Sequence, residues 1–170
     1  RSGHWPYPIF PAARLLWMKN SAPDLYARAS AFLSLSGWLA WRLCGERAYE
    51  STQASEALVF DLESRNWAWD LIDRLEIRRD LFPAVAESGT PLGRIDAWAA
   101  SAMGLGEGTP VVVGAADSQC ALVGAGAVSA GDYAAITGTT TPVQLVTSKP
   151  VIDDARRLWT STHATRDAWV

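Results

Sequence analysis

Asp117 is the residue whose surroundings invite chemistry. It follows a β-branched run, Thr109-Pro110-Val111-Val112-Val113, and a small-residue turn, Gly114-Ala115-Ala116. A strand emptying into such a turn sets a carboxylate at the carboxyl edge of a sheet, where open α/β sheets place their ligands. Small neighbours let a substrate come close to the backbone, so Asp117 is a candidate general base for a substrate hydroxyl. It is equally a candidate cap for a helix starting at Ser118, and its local context leaves both readings open. The second feature is the run Gly138-Thr139-Thr140-Thr141. Backbone N–H groups and hydroxyls in a tight turn can cradle phosphate oxygens without a lysine, although an ordinary hairpin tip would look the same. A base and a phosphate cradle are the two parts that phosphoryl transfer requires.

The elements that must position these residues change character along the chain. The first part reads as helical. Pro11 suits a first helical position, with Leu15, Leu16 and Lys19 spaced along it. Ser21 and Asp24 stand three apart, like a capping box for a helix through Tyr26. Trp38 to Leu43 forms a short amphipathic run closed by Gly45. Asn66 is expected to cap a helix carrying Trp69 and Ile72, and a further helix is expected from Asp96 to Met103, ended by Gly104. After Gly104 the texture turns to strand: Pro110 to Val113 reads as a buried strand, Ser118 to Val123 as a helix. Tyr133 to Thr137 and Val143 to Thr147 read as a hairpin whose tip holds Gly138 and its threonines.

Composition removes several classes of function. The 170 residues carry 15 Lys plus Arg against 18 Asp plus Glu, a net charge of −3, which opposes an electrostatic nucleic-acid binder. A hydrophobic fraction of 49% with 19% charged residues is enough for a packed core, and no stretch approaches the roughly 20 apolar residues of a membrane span. Cys44 and Cys120 form no CxxC motif and His4 and His163 lie near opposite ends, so a zinc or His-rich metal site is not expected. Lys19 and Lys149 follow no glycine loop, which excludes a Walker-A site within this stretch. Gly124-Ala125-Gly126 begins like a dinucleotide fingerprint but has Ser129 at the third glycine position, and no Gly-x-Ser-x-Gly elbow occurs. Trp67 and Trp69 could stack on a sugar, although core packing suits at least one of them better, and Arg78-Arg79 reads as a solvated patch. An Arg start and a strand-like Ala168-Trp169-Val170 end make both termini read as cuts.

Taken in order, the segments resemble the FGGY family of carbohydrate kinases, which includes xylulokinase, glycerol kinase and ribulokinase. The resemblance rests on Pro110 to Gly124 with Asp117 inside it, on Gly131-Asp132, and on Thr137-Gly138-Thr139-Thr140-Thr141-Pro142. Trp38 to Glu46 is similar to the family's DYLxYRLTGE segment, with Gly37 in place of its Asp. Glu50-Ser51-Thr52-Gln53-Ala54-Ser55, with Phe60-Asp61-Leu62 and Trp67, is similar to its TDxSxAS segment, with Glu50 in place of its Asp. The resemblance implies an α/β, actin-like (ribonuclease-H-like) ATPase fold, with this chain an internal fragment. Residues 1–128 would end the first, sugar-binding domain, and residues 129–170 would open the second, nucleotide-binding domain. The family's amino-terminal phosphate loop and carboxyl-terminal adenine motif lie outside the chain. By the same resemblance Asp117 is the catalytic base acting on a sugar hydroxyl, with Ser118 and Gln119 beside it at the substrate, and Gly138, Thr139 and Thr140 meet the ATP phosphates. ATP and Mg2+ are the implied cofactors, with no metal ligand assigned within the chain. The implied activity is transfer of the γ-phosphoryl group to a small sugar or polyol in the xylulokinase manner, in the cytoplasm, by a protein that binds neither nucleic acid nor membrane. A homodimer is left open, and the chain by itself is expected to be inactive. The alternative is a non-catalytic sugar-binding or regulatory protein on the same scaffold.

Overall fold

A computed structural model describes residues 1–138 and 140–170. The helices begin and end where local chemistry allows. Helix α1 (Pro11–Ser21) starts on its proline, and α2 (Pro23–Arg28) does the same. The fixed φ of Pro23 sets the start of α2, so Ser21 stays in the last turn of α1 and the expected Ser21–Asp24 capping box does not form. Helix α3 (Leu35–Cys44) is capped by Ser34, whose hydroxyl accepts from the Gly37 N–H at 3.1 Å, and it is closed by Gly45 at φ 77°.

Strand β1 (Tyr49–Glu50) leads directly into α4 (Ser51–Ser55). Strands β2 (Phe60–Asp61) and β3 (Asn66–Trp67) then form a small antiparallel hairpin with Arg65 at φ 50° in its turn. This corrects the reading of Asn66 as a helix cap. It pairs with Asp61, its side chain accepts from the Trp67 N–H at 2.8 Å, and α5 (Trp69–Arg74) starts only after Ala68. A single 3-10 turn, Arg79–Leu81, follows. Strand β4 (Val85–Ala86) returns to pair in parallel with β1.

Strand β5 (Pro91–Arg94), helix α6 (Ala97–Met103) and strand β6 (Pro110–Val112) form the next unit, with β5 and β6 antiparallel. Asp96 caps α6 by accepting from Ala99 N–H at 2.7 Å, and Gly104 closes it at φ 68°. Strand β6 alternates rather than being buried throughout: Val111 and Val113 point inward while Val112 is half exposed. Successive side chains of a strand point to opposite faces, and here only the face of Val111 and Val113 is covered. Helix α7 (Asp117–Gly124) and the antiparallel hairpin β7 (Tyr133–Ala135) and β8 (Val143–Leu145) complete the order.

The main core is aromatic. Trp67 is 3% exposed, edge-on to Tyr49 at 5.1 Å and to Phe82 at 4.9 Å, and its indole N–H donates to Pro83 O at 2.7 Å. It is therefore packing and not a sugar platform. Trp69 packs half-buried against Phe82 at 6.2 Å. Trp169, from the far end of the chain, joins the same core, and its indole N–H donates to Leu62 O at 2.9 Å. Residues 1–4 meet this carboxyl-terminal segment as well, through Thr160 N–H to Gly3 O at 2.9 Å and through His4 against Ser161. A second, smaller core gathers Leu122, Ala127, Val146 and Ala168 beneath α7. Among the described residues no helix is long and apolar enough to cross a membrane.

Candidate active site

The turn Gly114-Ala115-Ala116 carries the chain from β6 into α7, and Asp117 is the first residue of that helix. Ala116 stands at the N-cap position and has no side chain to cap with. Asp117 lies one residue inside the helix rather than capping one that starts at Ser118, and its Oδ1 accepts from the Ser118 N–H at 2.6 Å. The carboxylate is exposed, and a negative charge in the first turn of a helix is favoured by the helix dipole.

The other residues named beside it divide between surface and core. Ser118 is half-buried, whereas Gln119 is 1% exposed and its Oε1 has no partner among the described residues. Two residues apart on a helix means different faces. Asp117 is thus open to a ligand, while Gln119 sits in the interior. Gly138 and Thr140 lie exposed at the tip of the β7–β8 hairpin, where the Gly138 N–H donates to Thr140 O at 3.0 Å. Thr139 lies outside the described residues. No hydrogen bond among the described residues joins this tip to the Asp117 turn.

Sequence reading missed the support beneath Asp117. Thr52, on α4, accepts a hydrogen bond from the Ala116 N–H at 2.8 Å across 64 positions of chain. One turn further on, Glu56 lies on the same face of that short segment. It is half-buried, and its carboxyl is raised above the ordinary range by burial first, then by the negative charges of Asp117 and Glu50. Asp117 and Glu56 are therefore within electrostatic reach of one another. Glu50 is 2% exposed and accepts from the amides of Thr52 and Gln53 and from the hydroxyls of Thr52 and Ser88, while Ser51 Oγ, with one proton to give, lies 3.3 Å from Glu50 and 3.2 Å from Glu87. The only local signal for these residues was the Glu50 to Ser55 segment itself.

A cavity of about 230 Å3 opens beside the turn, between α3 and β6, walled by Leu39, Leu43, Val111 and Val113 with Ser36 and Glu50. Its walls are mainly apolar, and the oxygens of Glu50 are already engaged by four donors. A polyol would find few free partners there, and Asp117 is not among the residues that line it. Among the described residues no group of three or more His, Cys, Asp or Glu is placed to hold a metal ion.

The description of the FGGY family of carbohydrate kinases, N-terminal domain, matches residues 1–124. The chain belongs to that family. Its curated relatives include an autoinducer-2 kinase from Enterobacter sp. (strain 638), 43% identical over 126 residues, which are 74% of this chain and 24% of that protein. An autoinducer-2 kinase from Yersinia pestis (strain Pestoides F) is 39% identical over 140 residues, 82% of this chain and 26% of that protein. The FGGY chain thus spans about a quarter of the length of these relatives. Among solved structures, xylulose kinase from Rhodospirillum rubrum superposes with a TM-score of 0.91 at 25% identity, over 99% of this chain and 34% of that one. Glycerol kinase from Plasmodium falciparum, solved with ADP, superposes with a TM-score of 0.85 at 16% identity, over 99% of this chain and 35% of that one. The fold is that of the FGGY sugar kinases, the mixed α/β, actin-like ATPase class expected from the motifs.

Proposed function

We propose that the protein carrying this chain is an ATP-dependent carbohydrate kinase, transferring the γ-phosphoryl group to a hydroxyl of a small sugar or polyol. The observation that carries the reading is Asp117, an exposed carboxylate at the end of the β6 turn and the start of α7, in a chain of the FGGY family. There it can accept the proton of the attacking hydroxyl as the new O–P bond forms and the bond to ADP breaks. Positioning and charge stabilisation supply the rest of the acceleration.

In this reading Ser118 and Gln119 border the acceptor, and Gly138, Thr139 and Thr140 receive the ATP phosphates. Mg2+ is the metal proposed to accompany ATP in this reading. The division between sugar side and nucleotide side is kept between residues 128 and 129, and ATP as phosphoryl donor suits a cytoplasmic protein. Dimerisation through an exposed face remains part of the reading, with no residue assigned to it.

For the acceptor, the relatives at 43% and 39% identity are named autoinducer-2 kinases, while the xylulose kinase structures stand at 17–25%. That difference favours an acceptor of the autoinducer-2 kind over xylulose. The test is ATP consumption by the full-length protein against autoinducer-2, ketopentoses, glycerol and other polyols, with Asp117→Asn alongside. Turnover with one acceptor, lowered by orders of magnitude in the variant, is the expected result. Acceptor binding without any turnover would establish the non-catalytic binding protein instead.

A further inference from the structure

Among the described residues the turn that delivers Asp117 has one long-range hydrogen bond, to Thr52. Glu50 ends β1 and caps α4, its carboxylate accepting from Thr52 N–H at 2.8 Å and Gln53 N–H at 3.0 Å. The same carboxylate takes the Thr52 hydroxyl at 2.5 Å. A hydroxyl has one proton and two lone pairs. With its proton committed to Glu50, Thr52 Oγ1 can only accept in its remaining contact, and it does so from the Ala116 N–H at 2.8 Å. Ala116 is the residue immediately before Asp117, and its own side chain offers α7 no cap. Both Thr52 and Glu50 are buried, so water does not compete for these bonds.

We propose that Thr52 is a positioning residue for Asp117: its hydroxyl, oriented by the buried Glu50 carboxylate, fixes the turn from which the catalytic base projects. The proposal rests on the reading of Asp117 as that base. Thr52 touches no reacting atom. It sets where α7 begins, and a displacement of about 1 Å at a reacting group can lower turnover on the order of a hundredfold. The Ser88 hydroxyl donates to the same carboxylate at 2.7 Å and helps to hold it in place.

The test uses the full-length protein with Thr52→Val, which keeps the branched shape and removes the hydroxyl, and Thr52→Ser, which restores it. Kinetics with ATP and whichever acceptor of the panel above is turned over should show kcat lowered roughly ten- to a hundredfold in Thr52→Val. The acceptor KM should change little, and Thr52→Ser should return kcat to near the parent value. Amide exchange gives a readout independent of turnover. The Ala116 N–H should be protected in the unmodified protein relative to Gly114 and Ala115, and in Thr52→Val that protection should be lost. Full kcat in Thr52→Val, or a Thr52→Ser as slow as Thr52→Val, would overturn the proposal. So would an Ala116 amide that exchanges as fast as its neighbours in the unmodified protein, a result that needs no variant to fold. Undiminished turnover in Asp117→Asn would instead overturn the assignment of the base, and with it what Thr52 positions.

Discussion

Arg65→Met removes the side chain that ties the carboxyl-terminal segment to the first half of the chain. The Arg65 guanidinium meets Glu87 through two parallel bonds, Nε to Oε1 at 2.8 Å and Nη2 to Oε2 at 2.6 Å. Its Nη1 donates to Ala168 O at 3.1 Å, and its carbon lies 5.5 Å from the centre of the Trp169 ring. Only 10% of the Arg65 side chain and 21% of the Glu87 side chain reach solvent. Removing one partner of a buried pair costs about 3–5 kcal/mol, because the other charge is left uncompensated. Glu87 keeps some water and the Ser51 hydroxyl at 3.2 Å, and Met preserves the aliphatic stem, so the expected cost is about 2–3 kcal/mol. For a unit of this size that lowers Tm by roughly 4–12 °C.

The pH dependence separates the pair from simple packing. Burial pushes the Glu87 carboxyl up, but hydrogen bonds and charge from Arg65, with help from Ser51 and Arg166, bring it below the ordinary 4.5. A carboxylate lowered on folding contributes stability that is present above its ordinary pKa and lost as pH falls through the folded value. Thermal or urea unfolding should therefore show the full deficit of Arg65→Met near neutral pH and a smaller one below about pH 4. Arg65→Met/Glu87→Gln should be more stable than Arg65→Met alone, since it leaves no orphaned carboxylate. A deficit that stays constant from neutral to acid pH, or a double variant worse than the sum of the singles, would refute the ion pair as its source.

Two further outcomes follow from single residues. Glu56→Gln should raise Tm by a few degrees near neutral pH, where the raised carboxyl must ionise against burial and against Asp117 and Glu50. Because a raised carboxyl costs nothing below its ordinary pKa, that gain should fade as pH drops under about 4.5, and a gain that persists in acid would contradict the electrostatic origin. Gly3→Ala should destabilise by roughly 1 kcal/mol or more, because Gly3 sits at φ 75° and a Cβ there would lie 2.1 Å from Thr160 O. Faster proteolysis at the amino terminus together with a lower Tm is the expected signature, and an unchanged melting curve would mean that the two ends of the chain do not meet there.

What could be read from the sequence divides along the range of the interactions involved. Helix α6 was legible at both ends, because Asp96 reaches an amide three residues on and Gly104 takes the left-handed backbone that closes the helix. The β7–β8 hairpin was legible because its two strands flank their own turn. Asn66 misled because the signal was local and the outcome was not: a side chain suited to capping was claimed by strand pairing with Asp61. Trp67 could not be sorted between ligand platform and core from its type, since only Tyr49, Phe82 and Pro83, brought in from elsewhere in the chain, decide it.

The candidate site follows the same division, with a consequence for how it is built. Asp117 was legible because strand, small-residue turn and carboxylate are consecutive. Its support was not, because each link joins residues distant in sequence: Arg65 to Ala168, Arg65 to Glu87, Glu87 to Ser51, and Thr52 to Ala116. Ser51 Oγ lies between Glu87 and Glu50 at 3.2 and 3.3 Å, so these links form one path with two buried or half-buried carboxylates in it. Neither carboxylate is matched by charge alone. Glu87 has Arg65, while the buried oxygens of Glu50 are filled by hydrogen-bond donors among the described residues, as buried polar atoms require. The cost of losing any one donor is correspondingly high, which makes the geometry around Thr52 well defined. A Glu at position 50, where the family segment has Asp, reaches one carbon further, and in this structure that longer carboxylate spans the amides of α4 and the Ser88 hydroxyl together. The departure from the family pattern therefore leaves the anchor of the Asp117 turn intact.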